Sequence, residues 1–180
     1  MKVKYSDLKN KRVFITGGGS GIGASIVEHF CEQGSEVYFV DINIKETNRL
    51  LKKIKKNKFR MPNFIECNLL DINKLEKIIK KIISTKGPIH ALVNSAANDD
   101  RHTTDQVDEK YWENRMAINL KHYFFAAKAV VKAMKKIKSG SIVNLSSVSW
   151  MLGEGDKVVY ETAKSAVVGL TRSFAQEYGK

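Results

Sequence analysis

Tyr160 and Lys164 are the two side chains whose types and spacing most directly suggest chemistry. They lie four residues apart in a segment with helical periodicity, so both are expected on one face of a helix, with the ammonium close to the phenol. A neighbouring cation favours the phenolate and lowers the pKa of the phenol, which suits Tyr160 to general acid–base catalysis. Ser147, thirteen residues upstream of Tyr160, can hydrogen-bond the oxygen that gains or loses the proton. The same spacing also occurs in ordinary surface helices, so this interpretation depends on the rest of the chain.

A glycine-rich loop lies between a predicted strand and a predicted helix near the N-terminus. Residues 11–16 are typical of a short buried strand, residues 17–23 form the loop, and residues 24–33 have the apolar periodicity of a helix. Glycines allow a tight turn that brings bare backbone close to a pyrophosphate, while the helix N-terminus presents N–H groups to the phosphates. The pattern therefore predicts a dinucleotide site. Its candidate contacts are Gly17, Ser20, Gly21, Ile22 and Gly23.

Asp41 follows a second predicted strand, residues 36–40, and lies twenty residues past Gly21. A dinucleotide-binding fold places an acidic side chain at about this position, on the hydroxyls of the adenosine ribose. A carboxylate there repels a 2′-phosphate, and the glycine loop contains no arginine, so the sequence favours NAD over NADP. The alternative role for Asp41 is to cap the helix that follows.

Predicted strands and helices alternate along the rest of the chain. Further strands are predicted at residues 63–67, 89–93 and 141–145, and helices at residues 44–57, 71–85 and about 113–136. This alternation indicates an α/β fold, a doubly wound Rossmann-type parallel sheet with helices on both faces, in a single domain over residues 1–180. A polar loop, residues 94–102, and the pair Ser146 and Ser147 follow the fourth and fifth strands, at the edge where such sheets bind ligands.

Composition restricts the classes of protein to which the chain can belong. Of its 180 residues 43% are hydrophobic, with no apolar run long enough for a membrane span and no N-terminal segment typical of a signal peptide. The net charge of +12 comes mostly from lysines set among apolar residues, and no nucleic-acid recognition motif accompanies it. The histidines are scattered and Cys31 and Cys67 lack metal-ligand spacing, so no metal site is predicted. We expect a cytoplasmic protein without nucleic-acid or membrane partners.

Together these motifs resemble the short-chain dehydrogenase/reductase family over the whole chain. Residues 16–23 have the form Thr-Gly-x3-Gly-x-Gly of the family's cofactor loop. Two departures are Asn-Ser-Ala-Ala at residues 94–97, where the family usually has Asn-Asn-Ala-Gly, and Asn68, where it usually has Asp. The order and spacing of the family's catalytic tetrad match Asn119, Ser147, Tyr160 and Lys164.

The resemblance implies hydride transfer between a carbinol carbon and NAD. Tyr160 is then the general base toward the substrate hydroxyl, and Ser147 orients the substrate oxygen. Lys164 lowers the pKa of the tyrosine and binds the nicotinamide ribose, and Asn119 helps to hold a water that links Lys164 to solvent. Both Tyr160 and Lys164 therefore also count as cofactor contacts. The other implied contacts are Asn68 and Leu69 to the adenine, and Asn94 to the neighbouring backbone.

A narrower resemblance suggests sugars as substrates. Residues 96–102, 119–125 and 147–150 are similar to the branch of the family that contains aldose 1-dehydrogenases, whose product is a lactone. Amide and carboxylate side chains can hydrogen-bond sugar hydroxyls, and an indole can offer an apolar face to a sugar ring. Polar loops are common, however, and Trp150 can equally belong to the core. The candidate substrate contacts are Asn98, Asp99, Ser147, Trp150 and Tyr160.

Two other functions stay open on the sequence. One is reduction of a different carbonyl in the same family, such as a keto-acyl or steroid-like substrate, although Asp41 argues against NADPH. The other is a nucleotide-binding fragment without turnover, because the family generally adds further strands and a substrate-covering loop after the helix that carries Lys164. We therefore expect the C-terminal strands to be missing and the fifth strand to lie at a sheet edge. The resemblance also implies a homodimer or homotetramer in the full-length form.

Overall fold

A single five-stranded parallel sheet forms the centre of the computed structural model, which describes residues 3–179. The strands lie in the order β3-β2-β1-β4-β5, so the winding of the chain reverses between β1 and β4. In open α/β sheets this reversal opens a crevice at the carboxyl ends of the strands. The predicted doubly wound topology is confirmed. The strand bounds are Arg12–Thr16 (β1), Glu36–Asp41 (β2), Asn63–Glu66 (β3), Ala91–Asn94 (β4) and Ser141–Asn144 (β5).

Seven α-helices among residues 3–179 connect or flank these strands. Three begin at side-chain caps, two of which are the Asn43 side chain, which accepts from Glu46 N at 3.1 Å, and the Asp71 carboxylate, which accepts from Lys74 N at 2.9 Å. Asp71 is therefore the N-cap of the helix that the sequence predicts to begin at residue 71. The helix bounds are Gly21–Glu32 (α1), Ile44–Lys56 (α2), Ile72–Lys86 (α3), Glu109–Met116 (α4), His122–Lys136 (α5), Ser149–Leu152 (α6) and Val158–Tyr178 (α7).

Alternating side chains of the central strand, β1, pack into two hydrophobic layers on opposite faces of the sheet. Val13 and Ile15 of β1 pack in one layer with apolar side chains of α1 and α2, and Phe14 packs in the other with α3 and α5. All three side chains are fully buried. A strand covered on both faces reads as a continuous apolar run, which is why residues 11–16 gave a clear strand prediction. None of the helices within residues 3–179 has the length and apolar character needed to cross a bilayer.

The predicted helix at residues 113–136 differs from the observed structure in two ways. It begins four residues earlier, at Glu109, because the Asp108 carboxylate accepts from Tyr111 N at 2.7 Å and caps α4. A π-helical turn, Ala117–Lys121, then separates α4 from α5. Such turns interrupt a helix where a side chain is needed in a particular direction, and this one holds Asn119.

β5 lies at an edge of the sheet, as predicted, and Val143 on it is 50% exposed. The helices α5 and α7 bury much of their apolar surface within the chain. Ala126, Val130 and Val167 are at most 1% exposed and pack within the chain itself. These three residues therefore account for the fold and do not indicate an interface.

Candidate active site

A cavity of about 540 Å³ opens at the carboxyl ends of the strands, where the sheet order reverses. Loops after β1, β2, β3 and β4 contribute to its wall, and α7 contributes Tyr160. The predicted cofactor residues Asn94 and Lys164 are buried and do not line it. The sequence-predicted residues that the structure brings together in this wall are Gly17, Ser20, Gly21, Ile22, Gly23, Asp41, Asn68, Leu69, Asn98, Asp99 and Tyr160.

The glycine loop packs closely against the start of α1 and borders open space at Gly21. A Cβ on Gly23 would collide with the Gly17 carbonyl oxygen, so α1 can start this close to the loop only without a side chain there. Gly21 has a φ of +53°, and a Cβ built on it would meet no atom within 4 Å, so it borders open space. Ser20, the N-cap of α1, makes no side-chain hydrogen bond to the helix. The first turn of α1 therefore keeps an uncapped, open N-terminus that fits a pyrophosphate.

Asp41 holds the glycine loop as well as facing the cavity. Its Oδ2 accepts from Gly19 N at 2.7 Å and its Oδ1 accepts from Asn43 N at 2.8 Å. The side chain of Asn43, not that of Asp41, caps α2, so the alternative role as a helix cap is wrong. Each carboxylate oxygen retains a further lone pair, and the residue is 9% exposed at the cavity wall, so it can still accept from ribose hydroxyls.

Lys164 is a buried cation beside the cavity. It is 1% exposed, and its Nζ donates to Tyr123 Oη and to the Leu145 carbonyl, each at 2.8 Å. The ammonium lies 5.7 Å from the centroid of the Tyr160 ring, so the predicted pair does come together. Burial lowers the pKa of Lys164 to about 8, against an opposing effect of the Asp99 carboxylate. Its two hydrogen bonds therefore only partly offset the loss of solvation of the charge.

Tyr123 is a member of this cluster that sequence reasoning missed. Its side chain is fully buried, and its hydroxyl lies 3.1 Å from the Leu145 carbonyl oxygen and 3.3 Å from that of Ala96, besides contacting Lys164. Burial raises the pKa of this phenol, so it stays a neutral hydroxyl beside the ammonium. In the sequence Tyr123 is one more aromatic residue on the apolar face of α5, and no motif marks it.

Asn119 faces the loop after β4 rather than the cavity. Its Oδ1 accepts from Asn98 N at 2.8 Å and its Nδ2 donates to Asn98 O at 2.9 Å. This paired contact fixes the backbone just before Asp99, so the π-helical turn positions two of the candidate substrate residues.

The remaining predicted residues lie outside the cavity wall. Asn94 donates through Nδ2 to Asn144 Oδ1 at 2.8 Å, which joins the ends of β4 and β5. Ser147 Oγ lies 2.8 Å from Ser149 Oγ at the start of α6. Trp150 lies on α6 and is half-buried.

His122 is a buried neutral imidazole next to Lys164. Its Nε2 lies 3.3 Å from Thr16 Oγ1, a hydroxyl that also accepts from Ser95 N at 3.1 Å. Burial, together with the positive charge of Lys164, lowers the pKa of His122 to about 3. This residue therefore connects the end of β1 to the start of α5 without carrying charge at neutral pH.

We expect His122 to make the fold sensitive to acid. In the unfolded chain a histidine titrates near 6.5, so between pH 6.5 and 3 the unfolded state binds the proton that the folded state excludes, and stability falls as the pH falls. Replacing His122 with glutamine removes this contribution, which is about 3 kcal/mol at pH 4. Urea unfolding of both proteins at pH 7, 5 and 4 tests it, and a free-energy difference that stays constant with pH would contradict it.

The chain is similar to known proteins over nearly its whole length. The family model for short chain dehydrogenases matches residues 11–180. The D-xylose 1-dehydrogenase of Caulobacter vibrioides is 41% identical, over 97% of this chain and 68% of that protein. A protein of Rhizobium meliloti named probable galactose dehydrogenase is 38% identical, over 98% of this chain and 69% of that protein. The ligand-free structure of Thermoplasma acidophilum aldohexose dehydrogenase superposes with a TM-score of 0.84 at 31% identity, over 97% of this chain and 64% of that one.

The family model and the two relatives agree with the geometry of the site. The structure shows the glycine loop, the reversal of the sheet order and the approach of Lys164 to Tyr160 without reference to those proteins. The family's enzymes are oxidoreductases that act on CH–OH groups with a nicotinamide cofactor, NAD or NADP. The chain belongs to the short-chain dehydrogenase/reductase family.

Proposed function

We propose that this protein uses NAD to oxidise the anomeric C1–OH group of an aldose, giving a lactone. The observation that carries the proposal is the single cavity that Tyr160 shares with the glycine loop and Asp41. A base, a phosphate cradle and a ribose acceptor in one crevice are what hydride transfer to a dinucleotide requires. The similarity to proteins named as xylose and galactose dehydrogenases supports a sugar as the substrate.

The protein's own residues handle the proton and the orientation of the substrate. NAD, when bound, supplies the hydride acceptor. Tyr160 takes the proton from the substrate hydroxyl as the hydride leaves the same carbon, and the Lys164 ammonium lies 5.7 Å from the centroid of its ring. Ser147 orients the substrate oxygen. Asn119 acts through the loop after β4, where its amide holds the backbone of Asn98.

The cofactor is held by groups that the cavity already presents. The open N-terminus of α1 and the Gly21 backbone receive the pyrophosphate, and Asn68 and Leu69 border the adenine. Lys164 has one donor hydrogen beyond its contacts with Tyr123 and Leu145, and we assign it to the nicotinamide ribose.

The sugar is bound by polar groups of the loop after β4. Asn98 and Asp99 line the cavity, and their amide and carboxylate can accept or donate hydrogen bonds to hydroxyls. Ser147 and Trp150 do not line the cavity, and their assignment to the same substrate rests on the resemblance to sugar dehydrogenases. A polar wall of this kind favours a polyhydroxylated molecule over a steroid or an acyl chain, because an apolar substrate would leave these groups buried and unpaired.

A substrate panel tests the proposed function directly. NADH formation is measured with D-xylose, D-galactose and D-glucose, with a simple secondary alcohol, and with a 3-hydroxyacyl thioester, each with NAD and NADP. We expect the highest kcat/KM for an aldose with NAD, and formation of the lactone. A higher kcat/KM for the thioester or the simple alcohol would contradict the assignment of an aldose as the substrate. It would still agree with a dehydrogenase activity.

Replacing Asp41 with alanine is expected to remove the preference for NAD. A carboxylate opposite a 2′-phosphate costs several kcal/mol, so the ratio of kcat/KM for NAD to that for NADP should fall by on the order of 100-fold. The ratio is the right measurement because the loss of the hydrogen bond from Gly19 N weakens the binding of NAD and NADP alike. Glu66→Ala is the matched control, since Glu66 ends β3 in register with Asp41 but does not line the cavity. An unchanged ratio in Asp41→Ala would contradict the assignment.

A further inference from the structure

The catalytic helix α7 begins without a cap from its own N-terminal residue. Lys157 precedes the helix and makes no side-chain hydrogen bond to it. The N–H of Val159, in the first turn, instead donates to Nε2 of His102 at 3.3 Å. His102 is 5% exposed and comes from the loop after β4, which is 57 residues away in sequence. A side chain from a different loop therefore does the work of an N-cap, immediately before Tyr160.

The surrounding contacts fix the hydrogen of the His102 ring. Nε2 accepts from Val159, so Nδ1 carries the hydrogen. Nδ1 lies 2.9 Å from Tyr111 Oη and 3.0 Å from the Asp100 carbonyl oxygen, both of which can accept it. The Tyr111 ring is held in turn by the Arg115 guanidinium, 4.7 Å from the ring centroid. His102 is thus a neutral imidazole with both nitrogens engaged.

A second set of contacts ties the same loop to the turn before α7. The backbone N–H of His102 donates to the Asp156 carbonyl at 2.7 Å, and the Arg101 guanidinium pairs with the Asp156 carboxylate. The loop that carries Asn98 and Asp99 in the cavity wall is therefore joined to α7 and to the turn before it by three contacts. Of these, only the bond from Val159 to the His102 side chain reaches the helix itself.

We propose that His102 is a positioning residue that holds the first turn of α7 against the substrate loop, and so fixes the distance from Tyr160 to the substrate. The inference rests on the proposed function, because it concerns the placement of the proposed base. His102 acts through Val159 and the helix backbone and does not line the cavity. What the position requires is a hydrogen-bond acceptor where Nε2 stands.

Two substitutions separate the acceptor from the volume of the ring. His102→Gln places an amide oxygen within reach of the Val159 N–H, whereas His102→Leu is of similar size and offers no acceptor. We expect kcat to fall by on the order of 100-fold in the leucine variant, since a small misplacement of a reacting group has an effect of that size, and to stay within about threefold of the wild type in the glutamine variant. The KM for the substrate and the Kd for NADH are expected to change by less than about threefold in both. A residue that only supported the fold would give no rescue by glutamine.

Measurements that need no turnover accompany the kinetics. Nitrogen-15 NMR of the wild type should show His102 as the Nδ1–H tautomer, and amide hydrogen exchange at Val159 should be faster by about tenfold or more in His102→Leu than in His102→Gln. Equal losses of kcat in the two variants, no loss in the leucine variant, or an Nε2–H ring would each overturn the proposal. If the wild type oxidises no aldose, the proposed function fails instead, and the tautomer and exchange results still decide the role of His102 in holding α7.

Discussion

Replacing Tyr160 with phenylalanine is expected to lower kcat by about a thousandfold or more and to leave NADH binding within about threefold of the wild type. Only the phenol oxygen is lost, and that oxygen is the proposed proton acceptor. The ring that lines the cavity remains, so the space for the cofactor does not change. NADH formation in steady state gives kcat, and fluorescence titration with NADH gives the dissociation constant.

Tyr178→Phe is the matched control for this experiment. Tyr178 ends the same helix, α7, and contacts Lys135 and Phe174 away from the cavity. Its loss of a hydroxyl should leave kcat unchanged. If Tyr160→Phe kept more than about a tenth of the wild-type rate, another group would have to be the base, and the proposed mechanism would be wrong.

Replacing Lys164 with methionine is expected to abolish turnover while making the folded protein more stable at pH 7. The ammonium is 1% exposed, and within residues 3–179 no carboxylate forms an ion pair with it. Its hydrogen bonds to Tyr123 and Leu145 offset only part of the desolvation cost of the charge. Methionine fills a similar volume without charge, so we expect a gain of about 1–2 kcal/mol in the free energy of unfolding.

The stability difference between the wild type and Lys164→Met is expected to depend on pH. The folded state releases the Lys164 proton near pH 8, whereas the unfolded chain keeps it to about pH 10.5. Between these values the unfolded state binds more protons, so the wild type gains stability as the pH rises, and its deficit against the methionine variant should shrink. Denaturant unfolding at pH 7 and pH 10 measures the gap. The exposed Lys132, changed to methionine, controls for the loss of a surface charge, and a wild type that is more stable than Lys164→Met at pH 7 would contradict the account.

The sequence predicted the parts of the fold that local patterns specify. Apolar runs marked the strands, Asp71 marked a helix start, and the glycines of residues 17–23 marked the cradle between β1 and α1. The spacing of Tyr160 and Lys164 put them on one face of α7, as observed. In each case the residues that decide the structure are close together in the chain.

The contacts that the sequence did not predict join residues that are far apart along the chain. His102 meets Val159 across 57 positions and Tyr123 meets Lys164 across 41. No sequence pattern distinguishes these residues from other buried residues, because the sequence alone does not show which distant side chain a core residue contacts. The π-helical turn at Asn119 was missed for a related reason, since its cause is the bond to Asn98 and not a local breaker.

The two hydrogen bonds that the Asp41 carboxylate accepts, from Gly19 N and Asn43 N, affect how the cofactor preference of this protein can evolve. If the carboxylate did no more than bind the ribose, it could be replaced without harm to the loop. A single substitution would then change the cofactor preference. Here the same two oxygens hold the shape of the loop through bonds of 2.7 Å and 2.8 Å. A lineage that moved toward NADP would lose loop geometry with its first substitution and would need a second one to restore it. Cofactor preference in this chain is therefore epistatic, and single substitutions are expected to pass through poorly active intermediates.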